Sequence, residues 1–311
     1  MELSLLLAEN IAAMFLMGLV GYVIVKIKIL KEKDSKVISK IIVYVILPCV
    51  IVNAFQMEYS ADKMKGFLIA IIASSLIHAI MIPLTRALSG PLHLNAIEKA
   101  SIVYSNAGNL IIPLVASVLG AEWVFYTCAY IVVQTLLMWT HGKMVICQER
   151  EKNFLKILNN PNLIAMFLGL LLFLLKITLP PVIGTCVAGF ANMVGPASML
   201  VIGMLMGNVD MKWVFRQKRP YFICFCRLIV IPLITIFIFR ILLIWNLSID
   251  MREILLIVLL AASAPVATTI TQLAQIYDKD SNYASIINAM SVICCIFTMP
   301  LMVFIYEYLS H

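Results

Sequence analysis

Long apolar blocks alternate with short polar stretches along the whole chain. Each block is about 20 residues long, the length that crosses the ~30 Å hydrocarbon core of a bilayer as an α-helix. Ten such blocks predict an all-α polytopic membrane protein with ten transmembrane helices, numbered here as spans 1 to 10. The predicted spans cover residues 5–25, 37–57, 65–87, 98–119, 122–146, 161–179, 186–207, 220–243, 253–275 and 283–307.

The composition excludes a soluble protein. Hydrophobic residues make up 63% of the chain and charged residues 13%, whereas a soluble domain has about half and about a quarter. The loops of a membrane protein account for the net charge of +7, so we expect the lipid bilayer as a partner and no nucleic acid. The eight cysteines form no C-x-x-C pair, and we interpret them as small buried side chains.

The distribution of Lys and Arg between the loops predicts the orientation. With the N-terminus outside, 17 of the 23 Lys and Arg residues fall in or beside cytoplasmic loops and five in outer loops. The positive-inside rule therefore predicts a multi-pass protein of the plasma membrane with both termini extracytoplasmic. The longest polar connection, 148–160, is the expected cytoplasmic linker between two five-helix halves, 1–147 and 161–311.

An odd number of spans gives the two halves opposite orientations, so similarity between them indicates an inverted repeat. Ile82-Pro83-Leu84 in span 3 matches Ile231-Pro232-Leu233 in span 8. Spans 4 and 9 carry the most polar and least helix-friendly stretches, at residues 104–113 and 261–272. We therefore expect a 5+5 inverted repeat in which helices 4 and 9 are broken and cross near the midplane.

Two broken helices in a membrane predict a binding site. Stranded backbone groups survive in hydrocarbon only where protein or a watery cavity covers them. Helix N-termini then offer N–H groups to an anion, and helix C-termini offer carbonyl groups to a cation. The alternative is that Pro113 and Pro265 only kink packed helices. The expected substrate-binding residues at the two breaks are Asn106, Asn109, Pro113, Ser263, Pro265, Thr268, Thr269 and Gln272.

A set of short motifs runs in order along the chain. It comprises Leu47-Pro48, the stretch from Asn106 to Pro113-Leu114, Asn160-Pro161, Gly203-Met204-Leu205, Arg227 with Pro232, and Ala264-Pro265-Val266-Ala267. This set resembles the auxin efflux carrier family, which includes plant PIN-type auxin exporters and bacterial permeases proposed for malate and malonate. The resemblance covers most of the chain.

The resemblance implies a fold like that of bile-acid symporters and sodium/proton antiporters, in which spans 4 and 9 cross in a transport domain that moves against a scaffold. It implies that Asn106, which precedes Pro113, contacts the substrate carboxylate. It also places spans 2 and 5 near the cavity, which adds Asn53 and Gln134 to the expected binding residues. Two such chains are implied to pair as a homodimer through scaffold helices.

Other polar residues inside the spans have two interpretations each. Arg227 either attracts an anion to the inner vestibule or snorkels to the headgroups or braces a loop carbonyl, and the second is favoured. His78 either relays protons or is a hydrogen-bonded helix contact, again with the second favoured. Asn192 and Asn288 bond either a neighbouring helix or a substrate, and the first is favoured.

The sequence also bears on which ion could drive transport and on whether the protein is an enzyme. No Asp or Glu lies at a span centre, so a carboxylate proton relay is not expected. A sodium site of carbonyl and hydroxyl groups stays open, as does uniport or exchange driven by the anion gradient and membrane potential. The chain has no H-E-x-x-H, G-x-S-x-G or P-loop, so we expect no enzyme activity, metal or cofactor.

The predicted function is secondary transport of a small organic anion, such as malate, malonate or an auxin-like acid, by alternating access. The alternatives are an anion channel and a carrier-derived ligand receptor. A membrane-embedded enzyme is the least favoured.

Overall fold

The computed structural model describes residues 2–147, 161–207, 216–244 and 250–310, so the predicted linker 148–160 lies outside it. Within these ranges the protein is helical, which confirms the all-α prediction, and the one extended pairing is an isolated antiparallel bridge between Ser105 and Val266. Five helices, α2, α3, α8, α9 and α12 below, are long and apolar enough to cross a membrane.

The helices are numbered in chain order. They are α1 Glu2–Lys26, α2 Glu32–Ala54, α3 Ala61–Ser89, α4 Ala96–Val103, α5 Ala107–Val118, α6 Val124–Leu137, α7 Pro161–Leu174, α8 Pro181–Gly207, α9 Lys218–Leu243, α10 Met251–Ser263, α11 Thr268–Ile276 and α12 Ser281–Leu309. Helix α6 continues through a π-turn into Lys143–Cys147.

Three of the intramembrane prolines follow directly after π-turns. Pro48, Pro113 and Pro232 stand at the start of regular helix after the π-turns Ile42–Ile46, Ala107–Ile111 and Cys226–Val230. A proline has no N–H to offer the preceding turn, and a local π-turn lets the chain stay helical around that missing donor. Helix α5 is therefore continuous through Pro113, and the interruption of span 4 lies earlier in the chain than this proline.

The helices pack in two groups. Helix α8 contacts α1 and α2, and α2 contacts α7, while α3 to α6 pack against α9 to α12; between the groups, α1 and α8 contact α5, and α1 contacts α12. The closest approach in the first group is between α1 and α8. A Cβ atom on Gly203 would overlap the carbonyl group of Gly18, and one on Gly21 would overlap that of Leu200. Glycines thus allow these two backbones to touch, as small residues do between membrane helices.

Helix α10 is the centre of the second group. It contacts α3, α6, α9 and α12, and every residue from Ile254 to Ser263 is buried. A helix that is apolar on all sides can pack against other helices or against lipid, and here its neighbours are helices. The interruption that follows Ser263 is therefore held in the interior of this group.

An ionic cluster ties three helix N-termini of the second group together. Glu98 of α4 is 2% exposed, and its carboxylate accepts bonds of 2.8 and 3.1 Å from Arg219 of α9. The hydroxyl of Tyr283 in α12 donates to the same carboxylate at 2.7 Å. The backbone N–H of Asn95 completes the set at 2.9 Å. A charged group this buried is stable only with such a full set of partners.

Candidate functional site

Two interruptions of helix meet inside the second group. The chain leaves the helical conformation at 104–106, between α4 and α5, and at 264–267, between α10 and α11. The N–H of Asn106 donates to the carbonyl of Pro265 at 2.7 Å, and the N–H of Ala267 donates to that of Tyr104 at 3.1 Å. Each interruption therefore satisfies backbone groups of the other, as burial requires.

Side chains of α6 and α12 satisfy the remaining backbone groups. In this kind of antiparallel pair, the N–H and C=O of Ser105 and Val266 point away from each other. Gln134 accepts from the N–H of Ser105 at 2.9 Å and donates to its carbonyl at 2.8 Å. On the other side, Ser291 accepts from the N–H of Val266 at 3.0 Å, and Asn288 donates to its carbonyl at 2.6 Å. Hydrogen bonds thus run through the crossing from Gln134 to the backbone at Ser105, across to the backbone at Val266, and on to Asn288 and Ser291.

Arg227 binds the C-terminal ends of both interrupted helices. Its side chain is 0% exposed. Nε donates to the carbonyl of Ala264 at 3.2 Å, and Nη1 donates to those of Ile102 and Val103 at 3.1 and 3.3 Å. These carbonyls end α10 and α4, where the helix dipole is negative. The expectation of snorkelling is wrong because the guanidinium is fully enclosed, whereas that of bracing carbonyl groups is confirmed.

The N-terminal ends of α5 and α11 lie on the other side of the interruptions. The first N–H groups of a helix have no partner within it, and the dipole is positive there. The amide of Asn109 reaches the hydroxyl of Thr268 at 3.4 Å, which joins the two first turns. A Cβ atom on Gly108 would meet nothing within 4 Å, so the first turn of α5 borders open space. Over the described ranges no carboxylate is hydrogen-bonded to either end.

Asn106 carries a free donor at this place. Its side chain is 5% exposed, and its Nδ2 is buried without a hydrogen-bond partner. A buried amide donor without a partner costs free energy. This N–H group is therefore a donor at the crossing that no group of the described protein uses.

The other predicted residues divide into those at the crossing and those apart from it. Thr268 and Thr269 are half-buried in the first turn of α11, and the exposed Gln272 lies one turn further along the helix. The buried hydroxyl of Ser263 has no partner, and Pro265 contributes its carbonyl. Among the residues that the structure describes, no hydrogen bond links the half-buried Asn53 of α2 to the crossing.

The side chain of Gln134 hydrogen-bonds the backbone at the crossing. Both functional groups of its amide are bonded to Ser105, so the side chain supports the crossing and has one amide N–H left for a further acceptor. The sequence analysis did not single out Ser105 or Ser291. A usable signal was present, since Gln134 and Asn288 are polar residues inside the predicted spans 5 and 10.

A large apolar cavity lies at the boundary between the two helix groups. Its volume is about 710 Å³, and α1 and α8 form one wall while α5 and α12 form the other. Leu110 and Leu114 of α5, Gly18 of α1 and Gly203 of α8 are among the residues that line it. Because this lining offers almost no hydrogen-bond donors, the cavity is not the place for a carboxylate.

The comparisons with known proteins agree with the membrane character of the helices. The family described as membrane transport protein matches residues 6–156 and 148–303 of the chain. No match is found among curated proteins. With nearly the whole chain matched, the protein belongs to the membrane transport protein family of the auxin efflux carrier type.

Proposed function

We propose that the protein is a secondary transporter that moves a small organic anion across the plasma membrane by alternating access. One observation carries the proposal: the N-terminal ends of α5 and α11 meet beside open space, and the unpartnered amide of Asn106 stands next to them. A carboxylate there would accept hydrogen bonds from Asn106 and from backbone N–H groups, in a positive dipole field.

We propose that the ten spans form a 5+5 inverted repeat, in which α4 with α5 and α10 with α11 each count as one span. The supporting observation is that the two interruptions are bonded in the same way. The side chain of Gln134 in α6 hydrogen-bonds the backbone N–H and C=O of Ser105, and the side chains of Asn288 and Ser291 in α12 hydrogen-bond those of Val266. In this arrangement both termini face outwards. The group α1, α2, α7 and α8 is the scaffold, and the other helices move against it along the apolar cavity.

The position of Arg227 bears on coupling. A sodium ion bound by the carbonyl groups that end α4 and α10 would lie beside a guanidinium that already uses them, and like charges at that distance repel. We therefore propose transport driven by the anion gradient and the membrane potential. A potential of 100 mV supplies about 2.3 kcal/mol per charge.

Flux into liposomes tests the proposal. Uptake of labelled malate is measured with and without a sodium gradient and an imposed potential, for the wild type, Asn106→Ala and Asn192→Ala. Asn192 is exposed in α8 and serves as a matched control. We expect saturable uptake that falls about 10- to 100-fold in Asn106→Ala only, the usual value of one hydrogen bond to a charged group.

Several outcomes would contradict the proposal. Equal uptake by Asn106→Ala and the wild type would remove Asn106 from the site. Non-saturable flux without counter-transport would indicate a channel, and binding without flux would indicate a receptor. Dependence of uptake on the sodium gradient would overturn the proposed coupling. If the wild type takes up no malate, a binding screen of organic acids identifies the carboxylate to be used.

A further inference from the structure

The turn that joins α1 to α2 is strongly basic. Residues 26–40, called here the lysine turn, contain two acidic residues, Glu32 and Asp34, and six lysines, all of them exposed: Lys26, Lys28, Lys31, Lys33, Lys36 and Lys40. The carboxylate of Asp34 is already in use within the turn, since it accepts the backbone N–H of Lys31 at 2.7 Å. The turn therefore presents a net positive surface.

The backbone concentrates these lysines at one place. Helix α1 ends where Lys28 adopts a left-handed conformation, with φ 64°. The following N–H groups of Ile29 and Leu30 fold back onto the carbonyl of Ile24, at 3.1 and 3.4 Å. This is the way helices commonly stop and reverse direction. Because α2 begins soon after, the lysines collect at the adjoining ends of two helices.

Exposed apolar side chains extend up to the lysines. Ile27 and Ile29 in the turn are 59% and 68% exposed, and Val37, Ile41 and Tyr44 along one face of α2 are 63%, 45% and 65% exposed. On a helix long and apolar enough to cross a membrane, such a face lies against hydrocarbon. Lys36 and Lys40 alternate along α2 with Val37 and Ile41, so charged and apolar groups lie side by side, as at the level of the lipid headgroups, where Lys side chains extend from an apolar surface.

Three lysines at the other end of the bundle contact protein groups, as Lys26 in the lysine turn does by lying over the ring of Tyr22 at 5.4 Å. Lys63 donates to the carbonyl of Glu58 at 3.0 Å, Lys65 lies 3.6 Å from Asp62, and Lys176 lies over the ring of Tyr59 at 5.3 Å. These cations interact with groups of the protein itself. They form a natural comparison set of the same charge.

We propose that the lysine turn is a binding site for anionic phospholipids, with the lysines on the headgroup phosphates and Ile27 and Ile29 on the first part of the acyl chains. The positive-inside rule accounts for lysines at this end of the protein, but it does not require exposed isoleucines among them. Clustered lysines beside a membrane helix attract anionic headgroups, and the adjoining apolar residues supply the second half of the contact.

The site lies on α1 and α2, the group proposed to be the scaffold, so bound lipids hold that group in the membrane. This consequence rests on the proposed function, whereas lipid binding itself does not. A protein that transports nothing can still bind phosphatidylglycerol at the lysine turn, so the two proposals fail independently.

Binding of spin-labelled phosphatidylglycerol and phosphatidylcholine to the purified full-length protein tests the site. The variants are Lys28→Gln/Lys31→Gln/Lys33→Gln, the same triple changed to Arg, and Lys63→Gln/Lys65→Gln/Lys176→Gln as the charge-matched control. We expect the wild type to prefer phosphatidylglycerol, and the first triple to lose this preference about tenfold or more. We expect the Arg triple and the control to retain the preference for phosphatidylglycerol, and added salt to weaken this preference.

Three results would overturn the proposal. The first is an unchanged preference for phosphatidylglycerol in the Gln triple, and the second is an equal loss of this preference in the control. The third is binding of soluble glycerol phosphate with the same dependence on these lysines, because the turn would then recognise phosphate esters in solution rather than membrane lipid.

Discussion

His78 of α3 and Arg227 of α9 stand at the same distance before a proline, five residues before Pro83 and Pro232 in the two Ile-Pro-Leu motifs. Both side chains are 0% exposed. His78 bonds the carbonyl of its own helix at Ser74 through Nδ1, at 2.8 Å, and Arg227 bonds the ends of α4 and α10. Each keeps one buried nitrogen without a partner, Nε2 and Nη2 respectively. Each Ile-Pro-Leu motif is thus preceded, at the same spacing, by a buried side chain with an unpartnered nitrogen.

Arg227→Met removes the charge that faces the two negative helix ends. We expect a lower midpoint of thermal unfolding, because three carbonyl groups lose a donor at about 1–3 kcal/mol for each one left without a partner. We also expect a KM for the anion raised about tenfold, because two negative helix ends then lie opposite the site without compensation. Arg227→Lys keeps the charge but not the planar guanidinium that reaches both helices. We therefore expect its thermal midpoint and its KM to lie between those of the wild type and Arg227→Met.

Arg240→Met is the control for this prediction, since Arg240 is exposed on the same helix. Unfolding in detergent and KM in liposomes are measured for all three variants. An unchanged KM in Arg227→Met would show that the guanidinium is purely structural.

Gln134→Leu keeps the approximate volume of the side chain and removes its hydrogen bonds. The buried N–H and C=O of Ser105 then have no partner, and we expect a loss of about 2–4 kcal/mol in the free energy of unfolding. Ser291→Ala removes one acceptor from Val266 and should cost about 1–2 kcal/mol. Thr140→Val, at an exposed hydroxyl that bonds only its own helix, is the control. Equal stability of Gln134→Leu and the wild type in a thermal melt would contradict the role assigned to Gln134.

Arg219→Gln leaves the carboxylate of Glu98 with fewer donors in a position where its side chain is 3% exposed. We expect a loss of about 1–3 kcal/mol in stability, and a partial recovery when Glu98→Gln is added, because the double variant contains no unpaired charge. The comparison pair Lys65 and Asp62 is 65% and 78% exposed. Its removal should change stability by less than about 1 kcal/mol. A double-mutant cycle measures both couplings, and equal values would be inconsistent with the burial of the Glu98 carboxylate.

Gly203→Ala places a Cβ atom on the carbonyl group of Gly18. Helices α1 and α8 must then separate, and we expect a clear drop in the thermal midpoint. Gly189→Ala in the same helix α8 places its Cβ atom in open space, so it should be neutral or slightly stabilising, since alanine favours helix more than glycine. Equal midpoints for the two variants would show that the contact between α1 and α8 is loose.

The family and the helical membrane character could be predicted from the sequence because both depend on local, one-dimensional signals. An apolar block of bilayer length forms a helix whatever its neighbours are, and ordered short motifs are read without coordinates. The polar stretches at 104–113 and 261–272 also coincide with the two interruptions. Within the first stretch, however, the helix stops near Ser105 and not at Pro113, because a π-turn accommodates the proline.

The partners of the polar side chains depended on the tertiary structure. Gln134 is 29 residues from Ser105, and Arg227 is 125 residues from Ile102. The energy of burying an amide or a guanidinium tells us that each must find partners, but not which ones. The sequence by itself therefore determined that this protein crosses the membrane and which residues are costly to bury there. Only the packing of the two interrupted helices decided that Gln134 and Arg227 support the crossing, while Asn106 keeps a donor free.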